Sequence, residues 1–446
     1  MKKRILTLLL ATLFTTAAAH ADEADLSARL EKLSAELEAL KAEMKKLSSQ
    51  NEALASQQEA SAKAPAAQPK VAMPAHDAAY ASFGSGASNA TDAVAPGQIS
   101  VFGYGEINYN RPRKDVSQTQ ADLRRAVVGF GYRFNYKTRF VSEFEWEHAV
   151  TSASDAGETA VEQFFIDHQL ANAISLKAGL FLIPAGFLNE VHEPPRYFGV
   201  ERNFVETAII PTTWREGGVG LHGVTMAGLG WDVGVTTGFN LSKWDAASGK
   251  GRESPLGSIH QELSLAQAKD LSTYAALNYL GLPGFALGGS VFTGQAAQGT
   301  ADFAASNARI TLWDIHARWQ PGNWDLSALY AKGAISDTED FNLTVLGEPT
   351  PIPKEFFGWY TQAAFKVWQS GDYSLTPFVR YERFNTASKY AAFPAGLAVD
   401  PSPTERVLTY GLSFKLHPNV VFKTDYQKFQ VDDTRDRFNL GLGLMF

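Results

Sequence analysis

The chain has 446 residues, a formal net charge of −7, 45% hydrophobic and 20% charged residues, and no cysteine. Without cysteine there is no disulfide framework, thiolate zinc site or thiol nucleophile, and the acidic balance argues against a nucleic-acid partner. After the first twenty residues no run approaches the ~18 apolar residues of a spanning helix, so a helical membrane protein is excluded.

Residues 1–21 begin Met1-Lys2-Lys3-Arg4, continue through an apolar run from Ile5 to Phe14, and close on Ala19-His20-Ala21. A basic start, a short apolar stretch and a small-residue cleavage site predict a signal peptide, with the mature chain starting at Asp22. Removal of Lys2, Lys3 and Arg4 makes that chain more acidic still.

Over 22–58 the residues Leu26, Leu30, Leu33, Leu37, Leu40, Met44 and Leu47 recur at alternating spacings of 4 and 3, and Asn51 and Leu54 keep the register. So narrow an apolar seam predicts a coiled-coil oligomerisation helix, with Glu36 and Lys41 at flanking positions where parallel chains could pair. The seam does not distinguish dimer from trimer. Residues 59–97 are rich in Ala, Ser, Pro and Gly without a period, and read as a flexible linker.

From residue 98 the period changes to 2. Predicted strands lie at 98–110, 121–135, 136–149, 158–170, 173–183, 217–227, 230–240 and 271–280. Eight more follow at 284–294, 308–320, 323–333, 356–369, 373–385, 405–417, 419–430 and 434–446. Gaps alternate short and long, with 431–433 the one brief gap on the long side. An even count with turns at one end and loops at the other predicts an all-β fold: a 16-stranded antiparallel transmembrane β-barrel over 98–446, placed in the bacterial outer membrane.

The faces agree. Phe438, Leu440, Leu442, Leu444 and Phe446 form one row of the last strand against Asn439, Gly441 and Gly443. The row opposite the apolar one holds Lys366, Arg380, Glu382 and Lys423, too many charges to pack dry, so it should face water and the apolar row lipid. Gly103-Tyr104-Gly105-Glu106 reads as a strand with small lumen residues. Aromatic residues gather at the short-turn end, among them Tyr132, Phe134, Tyr136, Trp319, Trp324, Trp368 and Tyr373, as an interfacial girdle does. Sixteen strands leave an aqueous channel unless something folds inward. The segment 184–216 is the candidate constriction, because Pro184, Pro194, Pro195 and Pro211 bar it from a ladder. Its apolar Phe187, Leu188, Tyr197, Phe198, Ile209 and Ile210 need a wall to pack on. It carries Glu190, Glu193, Glu201, Glu206 and Glu216 against Arg196, Arg202 and Arg215.

Leu123-Arg124-Arg125-Ala126, Pro377-Phe378-Val379-Arg380-Tyr381-Glu382 and the terminal strand, behind a leader, coiled coil and linker, resemble the phosphate-selective porin O/P family. Glu193-Pro194-Pro195, Glu201-Arg202-Asn203 and Pro211-Thr212-Thr213-Trp214 are similar to the constriction region of its relatives. The resemblance implies a homotrimer in outer-membrane lipid, with basic residues along the pore that pass phosphate. Arg124 and Arg125 match the double-Arg motif, and alternation lets one of them, Arg125, face the lumen. Arg133, Arg139 and Arg380 are further lumen-row candidates. The rows also hold Glu143, Glu145, Glu382 and Asp425, and mixed signs orient neutral polar solutes as readily as they select anions. Small anions, sugars and other hydrophilic solutes therefore all stand as cargo. A tether to the cell wall through 22–60, in the periplasm, is compatible with either.

An enzyme would need a nucleophile with its base, or a carboxylate pair in a cleft. The nine histidines show no metal-ligand spacing and no G-x-S-x-G occurs, so neither a catalytic residue nor a metal or other cofactor is assigned. An outer-membrane hydrolase is the distant alternative.

Overall fold

The computed structural model describes residues 91–446 apart from 395 and 398, together with Glu31, Lys32, Ser34, Ala35, Glu38, Ala39, 41–46 and Ser49, which are helical. The predicted leader 1–21 and linker residues 59–90 lie outside the described residues. So does the predicted seam except Met44, which is 68% exposed.

The alternating stretches form strands because a two-residue period gives each strand one wet and one apolar face. In chain order they are β1 (Ile99–Pro112), β2 (Gln120–Arg133), β3 (Thr138–Glu147), β4 (Thr159–Ala171), β5 (Ile174–Leu182) and β6 (Arg215–Val224). Then come β7 (Leu229–Thr236), β8 (Ser272–Leu282), β9 (Phe285–Gln295), β10 (Arg309–Trp319), β11 (Trp324–Ile335) and β12 (Glu355–Phe365). The series ends with β13 (Trp368–Ser370), β14 (Tyr373–Lys389), β15 (Glu405–His417), β16 (Val420–Phe429) and β17 (Arg437–Met445). β12 and β13 both pair with β14 and are two parts of one barrel strand, so the wall has sixteen. The prediction had this strand unbroken over 356–369. At the break the Lys366 amide donates to the Asn323 carbonyl at 2.9 Å, leaving the ladder for the neighbouring turn.

Each strand pairs antiparallel with the next, and β1 pairs with β17 from Tyr104↔Met445 to Pro112↔Arg437, which closes the barrel. Closure removes every free edge. The Phe446 amide donates to the Gly103 carbonyl at 2.9 Å and Gly103 returns the bond at 3.1 Å. A Cβ on Gly103 would meet the Phe446 ring at 2.9 Å, so the smallest residue is needed where the chain end seats.

Phe438, Leu440 and Leu444 are exposed outward while Asn439 is fully buried. Phe134, Tyr136, Trp319, Trp324, Trp368 and Tyr373 are also exposed, at the short-turn end. The interior is not uniformly wet, however. Phe292, Ile310, Leu312 and Phe356 on β9, β10 and β12 point inward and pack with Ile183, Val205, Ile209, Ile210 and Trp214 into a buried apolar cluster. The cluster continues into the long loops through Phe239, Leu241, Trp244 and Ile259. These loops are stitched by Trp244 Nε1 donating to the Thr350 carbonyl at 2.8 Å and Thr386 Oγ1 to that of Arg252 at 2.6 Å.

The predicted linker reached residue 97, but 91–97 dock on the inner wall. Arg133 Nη1 donates to the carbonyls of Asp92 and Val94 at 2.9 and 3.2 Å, and the Gly97 amide to that of Arg133 at 2.6 Å. Thr91 is buried in a notch, where a Cβ on Gly131 would sit 2.0 Å from its hydroxyl.

Candidate functional site

The segment between β5 and β6 leaves the wall and crosses the lumen. Four prolines deny it ladder geometry, and Asn189 ties its two ends together. Asn189 Nδ2 donates to the carbonyls of Ile183 (2.7 Å) and Trp214 (2.8 Å), and its Oδ1 accepts from the Trp214 amide (2.6 Å). Inside are a turn at Pro194–Arg196 and a five-residue π-helical turn at Val205–Ile209. The predicted region ran to Glu216, but Arg215 and Glu216 already belong to β6.

Glu206 is the hub. It accepts from the Phe187 and Leu188 amides at 2.6 and 2.7 Å, Asn203 Nδ2 at 2.7 Å and the Tyr360 hydroxyl of β12 at 3.0 Å. Other bonds fasten the segment around the wall. Tyr197 donates to Glu106 of β1 (2.8 Å), the Val200 amide to Asp425 of β16 (2.6 Å) and the Phe204 amide to Glu382 of β14 (2.6 Å). Asn110 of β1 donates to Glu201 at 2.8 Å. Burial raises the Glu201 carboxyl, but the guanidinium groups of Arg124 and Arg437 outweigh it and hold it below its ordinary value. At Glu190 burial prevails over Lys177 and pushes the carboxyl up to about 7. His192 is kept well below its usual value by burial and by Arg202, so its imidazole is neutral.

The predicted lining residues fall into three groups. Between the segment and β1–β4, Arg125 is buried, with Nε donating to Glu106 at 2.9 Å and Nη1 to Glu145 at 3.3 Å. Glu143 beside them accepts from Gln163, and the buried Glu193 brings a further carboxylate to this side. Arg202 donates to the Thr212 and Thr213 hydroxyls, and Arg215 pairs at 3.0 Å with Glu262 from the loop after β7. At the short-turn mouth Arg133 holds the docked segment 91–97, and Arg139 pairs with Asp92 and, at 2.8 Å, with Asp167. Across the lumen Arg380, 2% exposed, donates through Nε to Glu382 at 2.8 Å and through Nη1 to the Phe198 carbonyl at 3.2 Å. Arg196 alone of the predicted arginines has no hydrogen-bonding or ionic partner for its side chain among the described residues; its Nε is buried without one.

Of the register shifts in the wall, two bulges beside the site break strict alternation. The pairing steps from Glu106↔Arg125 to Ile107↔Leu123, so Arg124 is the extra residue. A bulge reverses the phase and turns two successive side chains to one side. The expectation that one of the double-Arg pair faces the lumen is thus corrected: Arg124 reaches Asp122 at 3.9 Å and acts on Glu201 beside Arg125. The second bulge, opposite Glu143 and Phe144, turns both Glu162 and Gln163 inward. Glu162 is fully buried and accepts from the Tyr104 hydroxyl at 3.1 Å. Sequence reasoning missed it; the signal was the break in alternation across Val161-Glu162-Gln163-Phe164. The glycines of 103–106 were expected in the lumen, yet Tyr104 and Glu106 occupy the inward row.

The lumen therefore carries paired charges of both signs about an inward peptide segment. Among the described residues no group of acidic or imidazole side chains has the arrangement of a metal site.

The chain is 31% identical over 379 residues to an uncharacterized protein of Aquifex aeolicus (strain VF5), covering 82% of this chain and 83% of that protein. No family model matches it. Among solved structures it is similar to Salmonella typhi OmpF in complex with daunomycin (TM-score 0.54, 15% identity, 78% of this chain and 98% of that one). It is also similar to the outer-membrane channel DcaP of Acinetobacter baumannii (TM-score 0.50, 11% identity, 79% and 100%). At these identities the likeness is one of fold.

Proposed function

Because the chain belongs to the same family as the Aquifex aeolicus protein and folds as a porin-type barrel, we propose that it is an outer-membrane diffusion channel for small hydrophilic solutes. The observation that carries this reading is the closed sixteen-strand wall, apolar outside, with charged inward rows and a segment strapped across its lumen. A channel acts through shape and field, and the lumen groups are engaged in ion pairs and anchoring bonds rather than arranged as nucleophile and base. Residues 1–21 then direct export, and the periplasmic side is that of the short turns and residues 91–97.

Arg125, Arg139, Arg215 and Arg380 each meet a carboxylate. That pairing favours weak ion selectivity over a phosphate ladder; Arg196 and the motif resemblance favour the phosphate reading. Reversal potentials in a salt gradient across planar bilayers separate them. The expected result is a slight preference with no phosphate block of chloride current. Strong anion preference with block, weakened by Arg125→Ala, would restore the phosphate reading, and an absence of conductance from a folded barrel would remove the channel.

The seam over 22–58 cannot be buried by one chain, which supports an oligomer, and with the trimer that the family resemblance implies it makes a homotrimer whose N-terminal helices stand in the periplasm within reach of the cell wall. Mass measurement in detergent should give three chains per particle, and deletion of 22–60 should lower that number without closing the pore. A strictly monomeric full-length protein would discard the trimer.

A further inference from the structure

Below the inward segment, at the short-turn mouth, lies a vestibule of about 570 Å³ among the ends of β10–β16. It narrows to a throat of about 40 Å³ under the segment, and Arg196, Tyr197, Phe198 and Arg318 line both spaces. Four cations there, Arg196, Arg318, Lys366 and Lys415, face two acids, Asp325 and Asp372. Arg318 is matched by Asp325, at 2.9 and 2.5 Å. Lys366 Nζ bonds to Gln369 (2.9 Å) and Lys415 Nζ to the Pro418 carbonyl (3.3 Å), and neither forms a direct ion pair with a carboxylate among the described residues, though Asp325 acts on Lys415 from a distance. Arg196 forms no such pair either. Three buried atoms on the same walls lack partners: Arg196 Nε on both, Arg380 Nη2 in the throat and Ser413 Oγ in the vestibule. A buried donor without its hydrogen bond is costly, so an acceptor arriving here gains more than it would on an open surface.

Polar and apolar side chains share the rest of the wall in about equal measure, the apolar ones being Pro195, Phe198, Pro418 and Val421. That mixture discriminates among anions. An inorganic dianion needs donors on every side and would lose hydration against rings and prolines. An organic carboxylate can set its head on a guanidinium in the forked geometry arginine offers and lay its body on the apolar part of the wall.

We infer that this vestibule is a binding site for small organic carboxylates with an apolar body, held at the head by Arg196 and Lys415 and against Phe198 and Pro195 along the body. The inference rests on the channel reading above and gives it a cargo class, which the paired charges deeper in the lumen do not.

Benzoate is a suitable probe and inorganic phosphate the comparison. The full-length protein in nonionic detergent, its fold checked by heat-dependent gel mobility, is titrated with each at constant ionic strength by calorimetry. Benzoate should bind saturably, and Arg196→Gln or Lys415→Gln should each weaken it about tenfold, as loss of one charge-assisted contact does. Phosphate should bind at least tenfold more weakly than benzoate. Absent benzoate binding, equal binding of phosphate, or affinity unmoved in both folded variants would overturn the assignment. Conductance is read on the same samples. Saturable benzoate binding without current keeps the site and removes the channel, whereas current without benzoate binding does the reverse.

Discussion

Replacing residues 190–210 by a short Gly-Ser linker should raise single-channel conductance severalfold. The segment crosses the lumen from β1 and β16 to β14 and β12, held by Glu106, Asp425, Glu382 and Tyr360, so it occupies cross-section that would otherwise be water. The wall depends on it less, because sixteen ladders are satisfied strand to strand. The variant would still carry a scar, since Phe292, Leu312 and Phe356 lose part of their apolar cover. Each exposed side chain of that size costs about 1.5–3 kcal/mol. Lowered stability with enlarged conductance is the combined signature, read by denaturant titration and bilayer recording. Unchanged conductance in a folded variant would show that the segment does not limit flow.

Arg125→Ala should be the most damaging single substitution on the inner wall. Its guanidinium lies between Glu106 and Glu145, all three buried, and Glu106 also accepts from Tyr197 of the crossing segment. Truncation leaves two carboxylates without their cation, and breaking a buried pair in this way costs about 3–5 kcal/mol. Adding Glu106→Gln and Glu145→Gln should recover much of the loss, because neutral amides tolerate the site better than unpaired anions. A loss below about 1 kcal/mol by chemical unfolding would mean that lumen water already screens the pair.

The barrel was legible in the sequence because strand periodicity is local. The prediction for 405–417 matches β15 end for end, while the prediction for 373–385 falls four residues short of β14. What lay beyond reach depends on distant partners. A bulge is decided by the neighbouring strand, so Arg124 and Glu162 look in isolation like outward residues of regular strands. The inward apolar rows of β9 and β10 show no amphipathic contrast, because Phe292, Ile310 and Leu312 face a segment folded in from elsewhere. Glu206 could be counted as an acid of the candidate constriction, yet its partner Tyr360 stands 154 residues away. Arg318 drew no notice, and the meeting of Lys415 with Arg196 could not be foreseen, because the vestibule exists only once three hairpin turns and the crossing segment converge.

The crossing segment also bears on how the barrel comes to be closed. Joining β1 to β17 unites residues as remote as Tyr104 and Met445, 341 positions apart by subtraction. Bringing such ends together by diffusion has an entropic cost of roughly 5 kcal/mol from chain length alone. Until they meet, both terminal strands present unpaired edges that invite aggregation. The segment touches both sides of that junction. It reaches Glu106 across 91 positions and Asp425 across 225, while a Cβ on Gly443 of β17 would press on Pro194 at 2.4 Å. One long search is thereby divided into two shorter ones, with β1 and β16 gathered onto a common template beside the place where the last ladder forms. The residues that obstruct the finished lumen are thus also placed to guide its assembly.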